Sequence, residues 1–352
     1  MIQKRPTPSA LRIVLAGALV GLVLPTLGAC GSKQSEAPPP DTAQNPKHDQ
    51  TSGDRIKRAE QFIQAKAFDA ARNELNQAVA EDPHNAKALF YLGVASEALG
   101  DAEGAKSNYR KALGENPKLV DAAQNLSALL LDGGDPKSAL TVAEAGLAAE
   151  PNDPVLLQTR ALALEGAGKR EEARKAYQAA LQASPKDSNL RFNYAHLLVD
   201  LSQRAQGDQA QKNKQDAIKQ LEELLNLEKA DVLTAVSTEF AKLSHFDGCV
   251  KALDRAIKLK PDAESFTKRG LCKHQVKGDT GEAQDYEQAL KSDANYTPAH
   301  YYLGRFLVDA GKKTEARDHL KKAAELGGDT SIGKKAKEEL ARLDAAPAPK
   351  KK

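Results

Sequence analysis

The sequence predicts an all-α solenoid, and three observations carry that prediction. Prolines recur at Pro83, Pro117, Pro151 and Pro185 with a constant spacing of 34 residues. A fixed period of that size marks a repeat architecture built from one supersecondary unit. Small residues recur in step with it, at Ala59, Gly93, Ser127, Ala161, Ala195, Ser237, Gly270 and Gly304. A second small series follows at Ala71, Ala105, Ala139, Ala173, Ala217, Cys249, Ala283 and Ala316. Composition agrees: the chain is rich in Ala, Leu, Lys, Glu and Gln, has only 5% aromatic residues and contains no Trp. That is helix vocabulary, with too few aromatic and β-branched runs for a sandwich or barrel.

Each element follows from this period. Two helices of a repeat cross where both are small, because a longer side chain there drives the backbones apart. One turn after the second small residue comes a large apolar partner: Leu75, Tyr109, Tyr177, Leu221, Leu253, Tyr286 and Leu320, with Ala143 as the exception. Leu92, Leu126 and Leu303 supply the facing stripe of the first helices. Pro83, Pro117, Pro151, Pro185 and Pro261 mark the ends of second helices, which proline cannot continue. This pattern resembles the tetratricopeptide repeat (TPR). The resemblance covers 53–328 in about eight helix-turn-helix units and implies a right-handed superhelix. The fifth unit carries about ten extra polar residues near 201–216, which most simply lengthen its two helices into a protruding hairpin. Residues 329–344 hold an amphipathic pattern (Ile332, Ala336, Leu340, Leu343) suited to a C-terminal capping helix, and 345–352 read as a disordered tail.

The amino terminus follows different rules. The 51 basic residues exceed the 48 acidic ones by three, and Lys4, Arg5 and Arg12 lie in a stretch of 29 residues without an acid. Ile13 to Leu24 is an apolar run, too short to span about 30 Å of hydrocarbon but suited to a secretory signal. Leu27-Gly28-Ala29-Cys30 then resembles the lipobox of bacterial lipoproteins. The resemblance implies that 1–29 is a signal peptide, that Cys30 receives the lipid, and that acyl chains hold the protein on a membrane. Gly31 follows the cysteine rather than an Asp, which by the same resemblance favours the outer membrane, facing the periplasm. Residues 30–52, with Pro38-Pro39-Pro40 and no apolar period, read as a disordered linker.

Beyond the basic leader the charge is balanced, so nucleic-acid binding is not expected. Gly328-Asp329-Thr330-Ser331-Ile332-Gly333-Lys334 imitates a phosphate-binding loop, but Lys335 stands where Ser or Thr is required, and no strand precedes it. The seven histidines show no metal-ligand spacing, and Cys272 beside His274 is no more than a fragment of one. No nucleophile elbow occurs. No cofactor, metal or small-molecule substrate is expected. Cys249 and Cys272 lie almost equidistant from the turn at Pro261-Asp262, hence within about 3 Å of the same height on adjacent helices. Height does not decide whether they face each other. A disulfide and two separate core thiols both remain open, the second being the plainer reading.

The TPR resemblance also implies a partner-binding groove on the first helices. Carried onto this sequence, its positions include Phe90, Val94 and Glu97; Gln124 and Leu131; Gln158 and Leu162; Phe192, His196 and Asp200; and Tyr301 and Arg305. Apolar anchors with a few polar groups suit a segment of a partner protein. The Lys and Asn set of the carboxylate-clamping co-chaperones is missing, since Phe90 and Val94 occupy two of its places. The expected function is therefore a non-enzymatic, lipid-anchored scaffold that binds protein partners in the cell envelope and assists assembly of a pilus, motility, secretion or cell-wall machine. The competing readings are a cell-wall-associated enzyme or carbohydrate-binding accessory protein, and a soluble repeat protein whose signal is accidental.

Overall fold

The computed structural model describes residues 51–276 and 281–345. Signal peptide, Cys30, most of the linker, the turn at 277–280 and the last seven residues lie outside the described residues. Seventeen α-helices and no strand occur among the described residues. The chain divides into two compact units after Ala122.

The first unit contains α1 (Ser52–Gln64), α2 (Phe68–Glu81), α3 (Ala86–Ala98), α4 (Ala102–Glu115) and the opening of α5 (Val120–Asp132). The array begins at Ser52, one residue before 53, because the Thr51 hydroxyl accepts from the Asp54 N–H and caps α1. Helices α2 and α4 stop two residues before Pro83 and Pro117. Ala59, Ala71, Leu75, Leu92 and Ala95 form one buried cluster.

The second unit continues with α6 (Pro136–Ala149), α7 (Pro154–Gly166), α8 (Arg170–Ala183), α9 (Ser188–Arg204) and α10 (Gly207–Glu223). It proceeds through α11 (Ala230–Lys242), α12 (Phe246–Leu259), α13 (Ala263–Gln275), α14 (Glu282–Ser292), α15 (Thr297–Asp309) and α16 (Lys313–Gly327) to α17 (Ser331–Ala345). The extra polar residues of the fifth repeat go into α9 and α10, each 17 residues long against the 13 or 14 of most others, joined by a two-residue turn. Helix α17 includes Ala345, which the sequence reading assigned to the tail.

The small-residue notches work as crossing points. Cβ atoms built on Gly93, Gly270 and Gly304 would lie 2.5, 2.6 and 2.8 Å from Tyr109, Tyr286 and Leu320, the bulky residue sixteen positions later in each case. In the third repeat that bulky residue is the small Ala143, and the adjoining notch is Gly146, whose space is filled from the next helix by Leu156 at 2.6 Å. The phosphate-loop imitation at 328–335 is helix punctuation: Gly328 (φ 52°) ends α16, Thr330 caps α17 through the Gly333 N–H, and Gly327 and Gly333 meet backbone to backbone.

Cys249 on α12 and Cys272 on α13 are joined as a disulfide, with Cα atoms 6.2 Å apart. His274, two residues on, pairs with Glu282 at 2.7 Å.

Candidate partner-binding face

In the first unit α3 carries the groove positions. Phe90 was expected to stand open as an aromatic anchor, but it is only 7% exposed. Its ring packs against Tyr109, 5.9 Å between centroids, so it belongs mainly to the repeat core. Val94 is half-buried, and Glu97 accepts a hydrogen bond from the Tyr109 hydroxyl at 2.8 Å. The accessible aromatic is the neighbour, Tyr91, with the Lys87 ammonium 5.7 Å over its ring. Lys87 in turn pairs with Glu60 of α1 at 2.7 Å. Burial, helped by Glu60, pushes the Tyr91 phenol up to about 12. Phe90, Tyr91, Lys87, Leu119 and Asp121 line an open cavity of about 520 Å³. Tyr91 escaped the sequence reading because the inherited groove positions skip it.

In the second unit the groove positions separate into two kinds. Leu131, Gln158, Leu162 and Phe192 are half-buried and present part of their surface to solvent. Leu162 and Phe192 rest on the main core cluster, which fixes their orientation. The others are committed internally. Gln124 donates to the Asp153 carboxylate at 2.8 Å, and Asp153 itself caps α7 by accepting from the Leu156 N–H. Asp200 sits between Arg170 at 2.6 Å and Arg204 at 2.7 Å. His196 reaches from α9 to Glu239 on α11, Nδ1 to Oε1 3.2 Å, and Lys242 joins the same oxygen at 2.7 Å. The hydrogen bond to Glu239 raises the His196 imidazole despite burial. Burial pushes the Glu239 carboxyl up, but its bonds to His196 and Lys242 outweigh that and hold it below its ordinary range. Tyr301, another expected anchor, is corrected to a core residue at 6% exposure, edge-on to Tyr302; Arg305 is exposed.

The tertiary arrangement adds a group that spacing did not reveal. Asp285, buried to 2%, receives Arg269 through two bonds of 2.5 and 2.9 Å and Lys273 at 3.1 Å. No group of three or more His, Cys, Asp or Glu residues able to hold a metal occurs among the described residues. No helix among them is long and apolar enough to cross a membrane.

Three family models, each described as tetratricopeptide repeat, match residues 96–163, 137–246, and 57–120 with 274–329. The chain belongs to the tetratricopeptide repeat family. Among curated relatives it is similar to the probable biofilm formation methyltransferase WspC of Pseudomonas putida, 39% identical over 71 residues, 20% of this chain and 17% of that protein. It is also similar to the cellulose synthase operon protein C of Pseudomonas fluorescens, 28% identical over 127 residues, 36% of this chain and 10% of that protein. The chain thus spans less than a fifth of either relative. Among solved structures, the Pseudomonas aeruginosa pilF structure matches with 16% identity, 60% of this chain, 93% of that one and a TM-score of 0.48. MamA 41-end from Desulfovibrio magneticus RS-1 matches with 22% identity, 49% and 93% coverage and a TM-score of 0.43. The chain is thus a tetratricopeptide repeat scaffold, a kind of protein that binds peptide or protein partners.

Proposed function

We propose that this tetratricopeptide protein is lipid-anchored through Cys30 at the outer membrane and recruits segments of envelope proteins onto its first-helix face. The observation that carries the docking face is the row of half-buried Leu131, Gln158, Leu162 and Phe192 on successive first helices. Such a row combines apolar anchors with amides that set register. Two further features support an exported address: the basic leader, apolar run and Leu27-Gly28-Ala29-Cys30 of the sequence, and the Cys249–Cys272 bond, which belongs with an oxidising compartment. Curated relatives named for biofilm formation and for a cellulose synthase operon favour envelope-associated partners.

The test is in-cell cross-linking followed by affinity purification, together with radiolabelled palmitate. Palmitate enters the protein and Cys30→Ser abolishes it; absence of label removes the anchor. Partners are captured, and Phe192→Asp or Leu162→Asp loses them in a protein whose helix content is unchanged. Survival of every partner in both variants overturns the docking face.

A further inference from the structure

Six histidines lie among the described residues, and their surroundings differ in kind. His84, His196 and His274 each pair with a carboxylate, Glu115, Glu239 and Glu282. His245 packs on the Phe240 ring. His300 of α15 and His319 of α16 pair with each other, Nδ1 to Nδ1 at 3.0 Å.

The proton inventory of that pair is settled by a third group. His300 Nε2 lies 3.0 Å from the Ala294 carbonyl oxygen. A carbonyl only accepts, so His300 carries its proton on Nε2 and presents a lone pair at Nδ1. His319 must then donate from its own Nδ1. The pair accommodates one further proton without disturbing the contact, the charge settling on His300, whose Nδ1–H then donates to the lone pair at His319 Nδ1. A second would place N–H against N–H across 3.0 Å, which no rotation at that distance accommodates while Ala294 holds the other ring. His300 is only 9% exposed, so water does not readily take over the lost bond.

We propose that the His300–His319 pair is an acid-labile latch between α15 and α16, and that acidification loosens α16 and the α17 packed on it while the other histidine contacts hold. The charged groups facing the latch do not change this sense. Glu287 and Lys291 come from α14, Glu315 and Asp318 from α16, and Lys312 from the turn before it, so both signs are present. Burial, with the charge of His300, keeps the His319 imidazole below its ordinary range against the pull of those three carboxylates. The sign follows. A histidine depressed in the folded state contributes stability above its unfolded value near 6.5, lost as pH falls through the folded value. His84 and His196, raised by Glu115 and Glu239, run the other way and strengthen over the same interval. The surface released is the core of the last repeat, Leu320, Ala323, Ala336 and Leu343.

Hydrogen exchange of the full chain at pH 7.5 and 5.0, corrected for intrinsic rates, reads the latch directly. Peptides from α16 and α17 gain exchange at pH 5.0 relative to α9–α12, about tenfold for each pKa unit of depression. His319→Gln keeps a partner for His300 that can donate or accept, so it removes the acid response and keeps the fold. Equal responses in the two regions, or an acid response retained in His319→Gln, overturns the latch. Where that variant does not fold, ring nitrogen NMR of the unaltered chain decides. A Nδ1–H tautomer at His319 with a second protonation step below the ordinary range supports the latch, and two independent ordinary titrations end it.

Discussion

A methyl group on Gly93 would sit 2.5 Å from the ring of Tyr109, sixteen residues away on the second helix of the same repeat. The helix pair closes to this distance because position 93 has no side chain, and the tyrosine fills what is left. Gly93→Ala therefore costs about 1–3 kcal/mol through overpacking. Gly114, in the open on α4 with nothing within 4 Å of a built Cβ, is the internal control. Gly114→Ala gains up to about 1 kcal/mol from helix propensity. Urea unfolding of the two variants with opposite shifts in midpoint checks the notch.

Six first helices end in a left-handed residue that is glycine at Gly100, Gly134, Gly168 and Gly311 but Lys66 and Ser244 in two repeats, at φ 58° and 54°. A side chain in that conformation costs roughly 1 kcal/mol. Lys66→Gly and Ser244→Gly should each raise stability by about that amount, and a thermal midpoint that falls in either variant contradicts the account.

Removing the Cys249–Cys272 bond frees a segment with a sequence separation of 23. Loop-closure entropy for a segment of this length corresponds to about 3 kcal/mol. A Cys249→Ser, Cys272→Ser double variant is expected to unfold at lower denaturant than the oxidised parent, and reductant should bring the parent down to it. Equal midpoints before and after reductant would falsify the staple.

Asp285 satisfies two cations at once in a buried position, so Asp285→Ala leaves Lys273 without its counter-charge and Arg269 with Asp254 alone. Breaking a buried pair from one side costs about 3–5 kcal/mol. Arg269→Ala should cost less, because Lys273 remains for Asp285; a larger loss for Arg269→Ala than for Asp285→Ala argues that packing of the guanidinium dominates.

His196 and Glu239 set a pH window opposite to that of the His300–His319 pair. The raised histidine contributes stability fully below its unfolded value near 6.5, lost as pH rises through the higher folded value. The lowered carboxyl contributes above its unfolded value near 4.5, lost as pH falls through the lower folded value. The α9–α11 contact is thus strongest between those two values. NMR titration should place the His196 midpoint above 6.5, and Glu239→Gln should bring it back toward the ordinary value.

The period, the helix pairs, the crossing notches and the helix ends are all legible in the order of residues. Each of these is a local demand: a helix stops before Pro83, and a backbone approaches only where Gly93 or Ala59 permits it. That order also marked the fifth repeat as longer and placed Cys249 and Cys272 at one height. Which groove side chains are free depends on packing between helices. Phe90 and Tyr301 occupy groove positions in register yet are drawn into the core by Tyr109 and Tyr302, while His196 and Asp200 are taken up by charges from other helices. Register assigns a face and a height, whereas exposure and pairing depend on side chains that arrive from 30 or 40 residues away, such as Glu239 onto His196 or Asp153 onto Gln124. The cysteines make the same point, since equal height permitted their bond and only the rotation of α12 against α13 turned the two sulfurs toward each other.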